Sequence, residues 1–335
     1  MERFGPAQRA GGCSGFERAN RGRFLPAAVA AESTLATLGS ADPSLTSRLD
    51  AGARYLNGFD APHGALWVSH QIEAVPQYGV SPLIAQVIAF LELGRSDSAH
   101  VVLQRIDRRF PSPTLGLFAS EMDALLLLFA ADSGAGAAAT LARLQQLAND
   151  TPLAPDLRQR ATWMAALVAR RLPLVEFARD TGIGGPLGEV LAAVDAAEHG
   201  DPRSALRRTE ALEALSVWRV PDPCFRTVLH LLRAEWSERL GDRDAAVREL
   251  RWYQNSDQAM YPHFDPQPME VDWAFGPLAR WRQARLLAEM GRGAGDRCAL
   301  LSDVARLWKD GAGVFAARAD SASREAAALK CRPGA

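Results

Sequence analysis

Residues Ser81–Pro111 read SPLIAQVIAFLELGRSDSAHVVLQRIDRRFP, and they decide the fold. Leu83, Ile84, Val87, Ile88 and Leu91 recur at helical spacing in the first half, and Ala99, Val102, Leu103, Ile106 and Phe110 in the second. Between them, Gly94 can adopt the left-handed backbone that ends one helix. Ser96 or Asp97 can cap the next. Pro111 closes the second helix, because the ring fits poorly after a helical residue and carries no N–H. The stretch predicts a helix–turn–helix unit. Neither helix hides its apolar face alone, so the unit calls for neighbours of its own kind.

Such neighbours recur along the chain. Helices are predicted over Thr114–Ala131 and Ala137–Ala148 around Gly134, and over Pro186–His199 and Arg203–Leu215 around Gly200. The pattern returns over Phe225–Leu240 and Arg243–Tyr253 around Gly241, and over Met269–Met290 and Asp296–Trp308 around Gly291. Pro155–Arg171 and Leu174–Arg179 lie between these pairs, and Val314–Leu329 is expected to cap the end. A small residue sits five positions after three of the turn glycines, as Ala99, Ala205 and Ala246. Alternating strand patterns are scarce.

Gly94, Ala99, Leu103, Ile106 and Pro111, with Leu83 and Phe90 before them, are similar to the tetratricopeptide repeat. The resemblance implies antiparallel helix pairs in which the alanine lets two helices touch. The spacing of the turns is uneven, and His230 and Arg280 stand where the family has large apolar residues. The expected fold is therefore all-α, a right-handed superhelical solenoid of irregular tetratricopeptide-like units. It runs from residue 25 to 332, after a flexible segment or linker over residues 1–24 that is rich in glycine. Pro62–Gln77 is the least regular stretch, with Trp67, Val68, Ile72 and Val75 on one face and Pro62-His63-Gly64 outside any helix. Trp236, Gly241-Asp242, Pro277-Leu278-Ala279-Arg280-Trp281 and Leu307-Trp308 resemble the C-terminal helical-repeat regions of bacterial multidomain kinases and transcriptional activators. That likeness implies an effector domain upstream.

Composition narrows the function. The 335 residues are 48% hydrophobic, and 38 basic side chains balance 39 acidic ones to a net charge of −1. Such a chain has no bulk attraction to nucleic acid or to an anionic membrane. All but two of the basic residues are arginine, interleaved with acids as on a solvated surface. Cys13, Cys224, Cys298 and Cys331 are widely separated, which argues against structural zinc and against a disulfide framework, and fits a reducing, cytoplasmic compartment. The apolar run Ala124–Ala131 is too short to span a bilayer and reads as a helix buried on all sides.

No stretch carries convincing chemistry. Asp180–Gly188 has Leu187 where a dinucleotide-binding loop needs its third glycine, and reads as a loop before a helix whose first turn holds Pro186. His63 and His70 lack a third metal ligand. Glu270 and Asp272 beside Trp273 would suit a helical-barrel hydrolase, but two positions apart they point to different sides of a helix. Catalytic residues, cofactors and metals are thus not expected.

The segment 258–269, with Pro262, Pro266 and Pro268, is read as an irregular proline- and aromatic-rich loop. Six of the eight tryptophans follow residue 217. The reading is a non-enzymatic scaffold for a protein or peptide partner, bound by Arg233, Tyr261, His263 and Arg280. Arg226 and Arg282 are expected to be exposed on the same groove. The alternatives are a ligand-sensing regulatory region of a larger signalling protein and a hydrolase. The competing view of the loop is that its aromatics pack against their own helices.

Overall fold

The computed structural model describes residues 53–54, 56–57, 61–73, 79–130, 136–172, 182–213, 222–255 and 268–331. The predicted segments 1–24 and Leu174–Arg179, the turn at Gly134 and most of the 258–269 loop lie outside them.

Every regular element among the described residues is helical. The helices are α1 (Pro62–Ile72), α2 (Ser81–Glu92), α3 (Ser96–Arg109), α4 (Pro113–Leu125), α5 (Ala137–Asn149), α6 (Pro155–Arg171) and α7 (Gly185–Glu198). They continue as α8 (Pro202–Glu213), α9 (Phe225–Arg239), α10 (Arg243–Glu249), α11 (Pro268–Glu289), α12 (Ala294–Leu307) and α13 (Val314–Ala328). The last five residues before the gap after α4, Leu126–Ala130, continue it as a π-helical turn.

Consecutive helices pair as the opening stretch predicts: α2 with α3, α7 with α8, α9 with α10, and α11 with α12. Gly94, Gly200, Gly241 and Gly291 all have positive φ, between 64° and 90°, so each turn uses the conformation that glycine adopts most cheaply. Ala99, Ala205 and Ala246 are buried where the second helix of a pair meets the first. The Asp242 carboxylate accepts the Ala245 N–H at 2.9 Å and caps α10. Ser96 and Asp97 do not cap α3; they lie inside its first turn, with Arg95 as the N-cap residue.

Several boundaries correct the sequence reading. α1 begins at Pro62, so Pro62-His63-Gly64 is helical, as a proline in the first turn permits. Pro268 opens α11 rather than ending the preceding loop, for the same reason, and Met269 is helical as the prediction over Met269–Met290 has it. The helix predicted over Arg243–Tyr253 stops at Glu249, and a 3₁₀ turn follows at Trp252–Asn255. Leu126, Leu127, Leu128 and Phe129 are half-buried rather than enclosed. With α4 this turn makes an 18-residue helical stretch, Pro113–Ala130, that is long and apolar enough to cross a membrane; 61% of it is buried inside the fold.

One contact reshapes the array. In an open stack each unit touches only its neighbours. Here α11 also packs on α2, so the end of the chain returns to the beginning. The first helices α4, α6, α7, α9 and α11 follow one another in contact, α11 lies against α2, and α2 reaches α4 by way of α3. The return is fastened at Gly94. The Ala312 N–H donates to its carbonyl at 3.0 Å, and the Trp308 indole donates to the Glu92 carbonyl at 3.1 Å. Trp308 and Phe315, edge to face with centroids 5.0 Å apart, lie over the glycine. All twelve residues of α2 are buried. The core is one large cluster from Ala53 to Ala322, with a smaller one around Leu231, Ala246, Trp252 and Ala279.

Candidate functional site

Helices buried on several sides ordinarily carry few charges. The first helices here depart from that rule. Glu92 on α2, Glu121 on α4, Arg233 on α9, and Glu270, Asp272, Arg280 and Gln283 on α11 are all buried. Glu121, Arg233, Glu270, Asp272 and Gln283 bond to groups on other parts of the chain.

Arg54 grips Glu270 with two hydrogen bonds of 2.5 Å, Nε to Oε1 and Nη2 to Oε2. Both residues are almost wholly buried. Arg160 on α6 forks onto Glu121 in the same way, at 3.2 and 2.8 Å. Its Nε is also 3.9 Å from Oδ2 of Asp222, whose Oδ1 accepts the Cys224 N–H at 2.7 Å. Beside this group, Asp272 Oδ1 accepts from the Thr227 hydroxyl at 2.9 Å and from the Trp252 indole at 2.6 Å. Arg226 Nε lies 3.6 Å from the other oxygen of Asp272.

Burial dominates the acidities. It pushes the Glu121 carboxyl up to about 8, despite Arg160, with Asp222 adding repulsion. Asp222 and Asp272 are raised for the same reason, and burial beside these carboxylates carries the Cys224 thiol well above its ordinary value. Glu249 behaves oppositely. Burial would raise it, but hydrogen bonds from His230 and Arg233 hold it below the usual carboxylate range. Glu121, Glu270 and Asp272 are 0% exposed, so no substrate atom reaches them in this conformation. What the arrangement does is hold helices in register. A fork–fork pair fixes both separation and rotation, and breaking one leaves a buried charge uncompensated.

The residues expected to face a partner are distributed differently. Arg233 and Arg280, expected on an exposed groove, are each only 8% exposed. Arg233 donates to Glu249 at 2.8 Å and to the Thr209 hydroxyl at 3.0 Å, which ties α9 to α10 and α8. Arg280 lies over the Tyr253 ring, 5.0 Å from its centroid. Arg226 donates to the Trp252 carbonyl at 2.8 Å, and Arg282 to Glu238 at 2.5 Å. These arginines are inter-helix ties because α11 is covered by α2, α9, α10 and α12 instead of lining an open groove. Tyr261 and His263 lie outside the described residues.

The aromatic wealth of the C-terminal half goes largely into packing. Trp236, Trp252, Tyr253 and Trp308 are buried, and Trp252 stacks on His230 at 5.9 Å. His63 and His70 share α1 but are both exposed, and among the described residues no group of three or more His, Cys, Asp or Glu is placed to hold a metal ion. Gly182 precedes α7 and Gly185 opens it, both with positive φ, and its first turn holds Pro186 as expected.

The cysteines correct the sequence reading outright. Cys298 and Cys331 are bonded, with Cα atoms 5.4 Å apart. Their 33-residue separation hides the contact, which α12 and α13 create by lying antiparallel. Sequence reasoning also missed the Arg54–Glu270 and Arg160–Glu121 pairs. The only signal for them is a charged residue inside an otherwise apolar helix face.

No protein-family model, curated protein or solved structure matches the chain.

Proposed function

We propose that this chain is a non-enzymatic scaffold, an irregular right-handed array of tetratricopeptide-like helix pairs that binds a protein or peptide partner. The observation that carries the reading is the recurrence of helix, left-handed glycine and helix with a buried alanine five residues on, at Gly94, Gly200 and Gly241. Helix pairs of this kind build extended surfaces from inserted loops and edges. The alternative, hydrolysis by Glu270 and Asp272, is disfavoured by their burial and their engagement with Arg54, Thr227 and Trp252.

Tyr261 and His263 are the proposed partner contacts. Arg233 and Arg280 then act through position, by fixing α9 and α11 on either side of the segment that bears them. An acidic peptide containing aromatic residues suits such a site. The test is an array of acidic, aromatic-containing peptides probed with the whole chain. The proposal expects binding that is lost in Tyr261→Ala/His263→Ala and kept in Arg203→Glu/Arg207→Glu, a reversal at exposed arginines on α8. No binding, or equal loss from both variants, would overturn it.

A further inference from the structure

The end of α13 is held to α12 by an unusual combination. Its inner half is anchored through Phe315, Ala319 and Ala322, which are buried in the main core. Beyond Ala322 no residue of the helix is buried. Ala326 and Leu329 pack against the core there without being fully buried, and two ties from adjacent residues of α12 also hold that outer half. Arg297 pairs with Glu325, and Cys298 is bonded to Cys331.

The chain is bent back to make the second tie. Lys330 has φ 57°, the one non-glycine residue with positive φ among the described residues. Its N–H donates to Ala327 O, and the Cys331 N–H donates to Ala326 O, both at 3.0 Å. A left-handed residue after a helix usually is glycine, so a lysine there adopts a backbone it does not favour. Cys298 and Cys331 are both half-buried rather than enclosed. Arg297 and Lys330 flank them, and cationic neighbours favour the thiolate that must leave.

We propose that Cys298–Cys331 is a reversible thiol–disulfide site for a small thiol of the glutathione class, whose state sets whether the last two turns of α13 stay closed on α12. A thiolate attacks one sulfur and forms a mixed disulfide, and the other cysteine departs as thiolate and takes a proton. A second thiol attacks the mixed disulfide. Two reductant thiols become one disulfide, and Cys298 and Cys331 become thiols. Reduction removes the covalent tie while Phe315, Ala319 and Ala322 keep the inner half of α13 in place. The change is therefore local to residues 323–331.

The oxidised chain is incubated without denaturant in glutathione buffers of graded reduced-to-oxidised ratio. Alkylation with mass detection counts the thiols, and amide hydrogen exchange follows the helices. The proposal expects reduction once reduced glutathione is in roughly hundredfold excess, with unchanged far-UV circular dichroism. Exchange should quicken at least tenfold in 323–331 and nowhere else. Cys298→Ser and Cys331→Ser should each reproduce the reduced pattern while staying folded. Resistance to reduction until denaturant is added would make the bond a permanent staple and overturn the proposal. Reduction with no local change, reduction that unfolds the chain, or serine variants that exchange like the oxidised protein would each do the same.

Discussion

Gly94→Ala is the sharpest single perturbation of the closed array. Gly94 has φ 65°, where a side chain is strained whatever the space around it. An added Cβ would also lie 2.7 Å from Cβ of Phe315 and 2.9 Å from Cδ1 of Trp308. Both aromatic residues are buried, so neither ring can swing aside freely. The left-handed conformation costs about 1–2 kcal/mol for a non-glycine residue, and overpacking of a filled core about 1–3 kcal/mol more. The expected destabilisation is therefore roughly 2–5 kcal/mol. Gly200 and Gly241 provide the control. Their φ values are 90° and 77°, but an added Cβ at either meets nothing within 4 Å. Gly200→Ala and Gly241→Ala should cost only the conformational part, about 1–2 kcal/mol. The assay is urea unfolding followed by circular dichroism, with all three variants compared at one temperature. A Gly94→Ala variant no less stable than Gly200→Ala would refute the closure, because nothing but the returning Trp308 and Phe315 distinguishes the two sites.

Other perturbations test the interior. Arg54→Ala removes the two-bond fork onto the buried Glu270 and should destabilise by about 3–5 kcal/mol, whereas Arg54→Met/Glu270→Leu should recover most of the loss; a double variant as weak as the single would show that the ion pair itself holds the helices. Glu121 has its folded pKa raised, so the stability it contributes is fully present below the unfolded value near 4.5 and is lost as pH rises through about 8. The stability difference between Glu121→Gln and wild type should therefore shift in favour of the variant across that window, and a pH-independent difference in chemical denaturation would contradict it. Ala246→Arg forces volume and charge into a fully buried crossing and should cost several kcal/mol; unchanged melting would mean that α10 is out of register.

The readable part of the fold is the part that short-range geometry controls. Gly94, Gly200, Gly241 and Gly291 stand at turns that only a few residues define, and Ala99, Ala205 and Ala246 follow from a fixed offset. Short-range geometry also misled, at the Ser96/Asp97 cap and at Pro62-His63-Gly64, but the failures that hid the closure have the opposite character. Arg54 and Glu270 are 216 residues apart, as are Glu92 and Trp308. No periodicity along the chain reports a contact made only when α11 folds back over α2. The arginines on α9 and α11 looked like surface because helical spacing says which face a residue occupies but not what lies opposite. Trp252 and Tyr253, just ahead of the loop read as a partner site, serve as packing: Trp252 stacks on His230 and Tyr253 lies under Arg280. The Cys298–Cys331 bond depends on a left-handed Lys330, a conformation the sequence has no means of announcing. The proposed contacts Tyr261 and His263 rest on sequence alone.

The closure itself is measured most directly as a distance. Spin labels at Asp97 and Lys309, both exposed, are placed on cysteines in a Cys13→Ser background with the Cys298–Cys331 bond intact, and their separation is read by pulsed electron resonance. Each site lies three residues from the Gly94–Ala312 hydrogen bond, so the backbones must stay within roughly 25 Å at the length of an extended chain. An open stack would place five helix-to-helix steps of about 9 Å between the first and last units, giving roughly 45 Å. A single short distance is the predicted result; a population centred near the longer value would contradict the account.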